Sequence, residues 1–196
     1  MFEEQPAWTQ ATSLDILHKN IHTCTQCRLG TSRTNFVFGT GNPNADLVII
    51  GEAPGADEDA QGIPFVGRAG QLLTKILEAI NFSREDVYIC NILKCRPPEN
   101  RRPHADEVEQ CEPYLYKQLA LIQPKFILAL GLTAAETLLK NKYKMAELRG
   151  SWVDYHGARM MVTYHPAALL RNPEWKKYAW EDVQHLRRCY DHYRTS

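Results

Sequence analysis

Cys24-Thr25-Gln26-Cys27 is a C-x-x-C pair, and Cys95 and Cys111 follow it far downstream. Four thiolates of this kind suit zinc or an iron–sulfur cluster equally well on ligand type. The spacing does not repeat the C-x-x-C pair of many zinc ribbons. Cys111 falls on the apolar face of a coming helix, where a cysteine is often only a small buried hydrophobe. The pair at 24 and 27, together with Cys95 at the edge of a Pro-rich cationic loop, favours metal ligation over that reading. Cys90 ends a strand and Cys189 lies on the last helix, so both are read as structural.

Two loops and one histidine carry the remaining chemistry. Gly51 to Gly70 reads GEAPGADEDAQGIPFVGRAG, with five glycines, the carboxylates Glu52, Asp57, Glu58 and Asp59, and Phe65 between Pro64 and Val66. It joins an apolar run (46–50) to a helical pattern (69–81), and is far longer than the usual ~2–6 residues of a βα loop. Loops at the carboxyl ends of parallel strands are where α/β folds bind ligands. A second loop gathers Lys94, Arg96, Arg101 and Arg102; taken alone, such a cluster is a solvated surface. His165 lies between a strand pattern (160–164) and the stretch Pro166-Ala167-Ala168-Leu169-Leu170-Arg171-Asn172-Pro173.

The elements that must position these residues alternate. Strands are expected at 46–50, 87–90, 126–130 and 160–164, and helices at about 69–81, from 105, at 133–140 and at 174–193. Ser13 is expected to cap a first helix with Leu14, Leu17 and Ile21 on one face, after a loose terminus over 1–12. Alternation of this kind implies a parallel sheet with helices on both faces, and the loops after 50, 90 and 164 then meet at one edge. With 196 residues, 44% hydrophobic and 23% charged, the chain suits one domain, 1–196. Its 23 basic and 23 acidic residues cancel, which argues against a generally polyanion-binding surface. The acidic start Met1-Phe2-Glu3-Glu4-Gln5 has no apolar h-region, and the longest apolar runs fall short of a membrane span. A cytoplasmic, monomeric protein without a membrane contact is expected, and disulfides are not.

The motifs GEAPGADEDAQGIPFVGRAGQLL, YICNILKCRPPENRRP and YHPAALLRNP, with the C-x-x-C pair upstream, resemble those of the family 4 uracil-DNA glycosylases, and the likeness spans essentially the whole chain. The resemblance implies a three-layer α/β/α sandwich around a four-stranded parallel sheet. It implies a 4Fe-4S cluster held by Cys24, Cys27, Cys95 and Cys111, bracing a loop against DNA without a redox part in bond cleavage. The implied activity is base excision repair: deoxyuridine is flipped out of double- or single-stranded DNA and its N-glycosidic bond is hydrolysed, freeing uracil and leaving an abasic site. Phe65 is then expected to stack on the extruded base and Asn91 to read its edge, since an amide held in one orientation complements uracil O4 and N3–H but not cytosine. His165 is expected to stabilise the charge developing on O2. Gly51 and Ala53 complete the base pocket. Glu52, with Glu58 in support, is expected to serve the water and the sugar cation, because Ala53 stands where a related family has Asp. Asn100 is expected to help position the substrate, and Leu169 and Leu170 to wedge the vacated stack. Arg171, Lys94, Arg96, Arg101 and Arg102 are expected to contact phosphates. Two alternatives stand beside this: a noncatalytic iron–sulfur module that recognises uracil or lesions, and a variant that traps uracil sites covalently through His104.

Overall fold

A computed structural model describes residues 6–195. The expectations for residues 1–5 lie outside the described residues. The helices are α1 (Leu14–Ile21), α2 (Leu29–Ser32), α3 (Ala56–Gln61), α4 (Arg68–Ala79), α5 (Ala105–Ile122), α6 (Leu132–Leu139), α7 (Met145–Leu148), α8 (Pro166–Arg171) and α9 (Lys176–Thr195). The strands are β1 (Thr40–Gly41), β2 (Leu47–Gly51), β3 (Tyr88–Asn91), β4 (Phe126–Leu130), β5 (Trp152–Tyr155) and β6 (Ala158–Thr163). Among the described residues they form a six-stranded sheet in the order β1-β3-β2-β4-β6-β5.

The central β3-β2-β4-β6 unit is parallel throughout, as expected for four strands. Two antiparallel edge strands, β1 and β5, are added to it. The sheet separates two apolar cores through the period-2 alternation of a strand. Val48, Ile50, Ile127, Ala129, Met160 and Val162 pack with Leu17 of α1, Leu115 of α5 and Leu138 of α6. Leu47, Ile49, Leu128, Leu130 and Met161 pack with Leu73 and Leu77 of α4 and Val183 and Leu186 of α9 on the other face. The result is the three-layer α/β/α sandwich.

Ser13 caps α1 by accepting from Ile16 N at 3.2 Å, as its residue type predicts. The terminus expected to be loose carries a 3₁₀ turn at Ala7–Gln10. The loop from Gly51 is also more ordered than its glycines imply, since α3 and the start of α4 both lie within it. Among the described residues no helix is long and apolar enough to cross a membrane.

Candidate functional site

The carboxyl ends of the four parallel strands open into one cavity of about 630 Å³. The expected loops contribute Glu52, Ala53, Glu58 and Phe65 after β2, Asn91, Asn100 and Arg101 from the end of β3 onward, and His165 and Arg171 after β6. The end of β4 also lines it, through Gly131 and through Leu132 and Thr133 at the start of α6. The glycine ending the apolar run at 126–130 was the available signal for this contribution.

Asn91 is the last residue of β3 and is 2% exposed. Its Oδ1 has no hydrogen-bond partner among the described residues. A buried, unsatisfied acceptor costs about 1–3 kcal/mol, so a ligand donor is the natural partner at this cavity wall. Gly51 makes the approach feasible: a Cβ there would sit 2.4 Å from Asn91 Oδ1 and 2.6 Å from Phe65 Cζ.

Phe65 is held in a left-handed conformation, with φ at +55°, which costs a non-glycine residue about 1–3 kcal/mol. Two clamps hold it. The Glu58 carboxylate accepts from Val66 N and Gly67 N, both at 2.9 Å, and from Gly55 N at 3.1 Å. From the other side, Arg84 donates to Pro64 O at 2.7 Å and to Phe65 O at 3.1 Å. Gly70 completes the fit, because a Cβ there would lie 1.9 Å from Phe65 O. With both oxygens bound to backbone, Glu58 shapes the loop. Sequence reasoning missed Arg84, which carries no motif signal of its own.

His165 caps α8, and its Nδ1 accepts from Ala167 N at 3.1 Å. That bond fixes the neutral tautomer with hydrogen on Nε2, which leaves a donor for a ligand. Burial, and then the positive charge of Arg171, push its pKa down to about 4 against a weaker pull from Glu58. The imidazole is therefore neutral at physiological pH. Its ring lies 5.7 Å from that of Phe65, tilted by 34°. Glu52 hydrogen-bonds to Thr133; burial pushes its carboxyl above the usual range, while Thr133 and Arg102 pull it back.

The cationic loop behaves differently from the expectation. Lys94 is fully buried and donates from Nζ to Asn91 O and to Gln118 Oε1, so it cannot reach a phosphate. Its position next to apolar Leu93 and Cys95, with an amide acceptor waiting on α5, turns it into an internal strut. Arg101 forms a bidentate pair with the buried carboxylate of Glu107, and Arg102 pairs with Glu136. Arg96 donates from Nε to Asn100 Oδ1 at 2.8 Å, steadying a residue whose φ is +56°. Leu169 is 1% exposed and packed inside, so of the two leucines it is Leu170, 38% exposed, that is at the surface as a wedge must be. His104 is outside the cavity lining; its backbone N–H donates to Glu107 Oε2, capping α5.

Cys24, Cys27, Cys95 and Cys111 line a second, narrow cavity with Tyr114, Gly30 and Phe36. Among the described residues no group of three or more His, Cys, Asp or Glu side chains is arranged to hold a single metal ion. Hydrogen-bond donors nevertheless converge on the sulfurs: Tyr114 Oη on Cys24 at 3.3 Å, Arg33 Nη1 on Cys95 at 3.2 Å and Lys94 N on Cys111 at 3.3 Å. Burial pushes the Cys111 thiol up to about 12 and raises that of Cys95. Donors aimed at these sulfurs fit ligated thiolates, the form a bound metal enforces. Cys90 and Cys189 lie apart from this lining and pack in the two cores.

Residues 38–186 match the Uracil DNA glycosylase superfamily. The type-4 uracil-DNA glycosylase of Thermotoga maritima is 41% identical over 181 residues, covering 90% of this chain and 94% of the relative. That of Archaeoglobus fulgidus is 45% identical over 178 residues, 84% of this chain and 87% of its own length. That of Pyrobaculum aerophilum is 44% identical over 170 residues, 82% and 86%. Likeness at this level over nearly the full length of each relative, on a sheet whose strand ends build one shared cavity, makes the chain a member of the uracil-DNA glycosylase superfamily and, within it, of the type-4 group.

Proposed function

We propose that this protein, acting as a single-domain monomer, excises uracil from DNA by hydrolysing the bond between the base and the sugar. The observation that carries the proposal is the unpartnered Asn91 Oδ1, buried in the wall of a cavity that also holds Phe65 and the Nε2 donor of His165. Extrusion of the nucleotide costs a few kcal/mol, least where the base is mispaired or unpaired. Phe65 offers the stacking surface. Asn91 Oδ1 accepts from uracil N3–H, and the same amide donates to O4. With the amide held in this orientation, cytosine presents an acceptor at N3 and leaves the buried oxygen unsatisfied, at a cost of about 1–3 kcal/mol.

As the glycosidic bond lengthens, its electron pair moves onto the uracil ring and concentrates at O2. The Nε2–H of neutral His165 stabilises that charge without having to surrender its proton first. The Glu52 carboxylate, in its ionised form, faces the sugar cation and orients the water that adds to C1′. Asn100, held by Arg96, supports the substrate. Arg171, which has no ion-pair partner among the described residues, meets a phosphate, and exposed Leu170 fills the vacated stack. Cys24, Cys27, Cys95 and Cys111 would hold a 4Fe-4S cluster, which supplies a structural tie between their three chain segments.

The test is release of free uracil from a uracil-containing oligonucleotide by wild type, His165→Ala and Asn91→Ala. Each substitution is expected to lower the rate at least about a hundredfold, in the range of a lost oxyanion-type donor. Unchanged activity in both variants would overturn the site assignment, and inactivity of the wild type on single-stranded and U:G substrates would overturn the function.

A further inference from the structure

The cavity is large for one base. At about 630 Å³ it lies in the range that accepts a whole drug-sized ligand, and a pyrimidine between Phe65, Asn91 and His165 occupies a small part of it. The remaining wall has a different character, with Tyr164, Trp175, Leu132 and Met145 supplying aromatic and apolar surface beside Arg171.

Tyr164 and Trp175 are stacked, with ring centroids 4.9 Å apart and planes 29° from parallel. The stack is backed by Tyr178, 6.5 Å from Tyr164. Tyr178 is in turn held by the Arg149 guanidinium 4.9 Å from its ring, and Arg149 is anchored by Asp182 at 2.8 Å. Trp175 closes a 3₁₀ turn begun by Pro173, directly after the helix that carries Leu170 and Arg171. Its backbone is pinned by Trp175 N donating to Asn172 O at 3.1 Å. Aromatic residues serving only as core would be fully enclosed. Both rings instead stay partly exposed and line the cavity. A rigid, backed aromatic face beside an unpaired arginine suits a nucleobase with its phosphate, because every base has a π-face. Arg171 has no ion-pair partner among the described residues, unlike Arg101 and Arg102.

We propose that Tyr164 and Trp175 form a second stacking subsite, which takes the unpaired base next to the extruded deoxyuridine in single-stranded DNA while Arg171 meets the intervening phosphate. The proposal rests on the uracil-excision reading. It gives the enzyme a grip on single strands that does not depend on sequence.

The test uses single-stranded oligonucleotides with one deoxyuridine, either fully based or with an abasic spacer placed directly 5′ or directly 3′ of it. Base–aromatic stacking is worth about 1–3 kcal/mol, so the spacer on the stacking side is expected to raise the wild-type KM about tenfold or more. Trp175→Leu keeps an apolar plug against Tyr164 but lacks the π-face. It should show the raised KM on the fully based strand and no further response to the spacer, and Trp175→Phe should recover most of that response. A wild-type KM indifferent to both spacers, or a Trp175→Leu enzyme that still responds as wild type does, overturns the subsite. Failure of the wild type to release uracil from these strands while it still does so from a U:G duplex would also overturn the subsite, whereas inactivity on both would sink the glycosylase reading, and the subsite with it.

Discussion

His165 and Glu52 are pushed in directions that suit opposite tasks. Burial lowers the pKa of the imidazole to about 4 and raises that of the carboxylate, in each case by disfavouring the charged form. A neutral His165 donor is thus present down to about pH 5, while Glu52, proposed to act in its ionised form, is the group whose protonation would end activity first in acid. Activity should therefore show an acid limb above the ordinary carboxylate value of ~4.3, without an inflection near 6.5. Following the His165 ring by NMR checks the assignment, since its shifts should stay constant from pH 8 to about pH 5. A histidine titrating near 6.5 and tracking activity would overturn it. The linkage runs the same way for stability. The unfolded chain takes up this proton first, so the folded state loses stability as pH falls from about 6.5 toward about 4. In sequence, His165 was legible through its place between a strand and Pro166. Its tautomer was not, because that depends on where Ala167 N points.

The elements repeat this contrast between what pattern reveals and what packing decides. The four parallel strands follow from apolar runs of strand length, and α4, α5, α6 and α9 from helical spacing. β1 has only two residues, and β5 joins β6 through His156-Gly157, whose φ values of +52° and +85° make a tight hairpin without the usual Asn-Gly signal. Lys94 read as part of a basic loop because nothing in its neighbourhood announces Gln118, which lies across on α5. Arg84 is invisible for the same reason. It sits between α4 and β3, yet reaches back nineteen residues to hold Phe65 O. That long reach gives the loop its testable feature: a strained platform clamped by Glu58 on its amides and by Arg84 on its carbonyls. Arg84→Met preserves the apolar stem and leaves two carbonyls without their donor, each worth about 1 kcal/mol or more. The expected outcome is a fall of about tenfold in kcat/KM for uracil release, with far-ultraviolet circular dichroism unchanged. Wild-type kinetics in Arg84→Met would show that Glu58 and Gly70 hold the platform unaided.

Across the whole molecule, the reading edge and the cysteine cavity share a single piece of chain. Asn91 ends β3, and Lys94 follows with its Nζ on Asn91 O at 2.7 Å and its N–H on Cys111 Sγ at 3.3 Å. Cys95 comes next, on the same cavity as Cys24 and Cys27 from the amino-terminal segment and Cys111 from α5. A group bound by all four thiolates closes long loops in the chain, and it stabilises the folded state by binding that state and not the unfolded one. It also leaves the backbone beneath Asn91 with fewer ways to move. With the proposed 4Fe-4S cluster as that group, Cys111→Ser should lose iron and visible absorbance and unfold at lower temperature than wild type. Cys90→Ser, altered at a buried position on the sheet outside that cavity, should keep its iron. The two variants separate ligation from packing, because both replace a buried sulfur by a hydroxyl and only one of those sulfurs lines the site. Full iron content in Cys111→Ser would remove it from the ligand set.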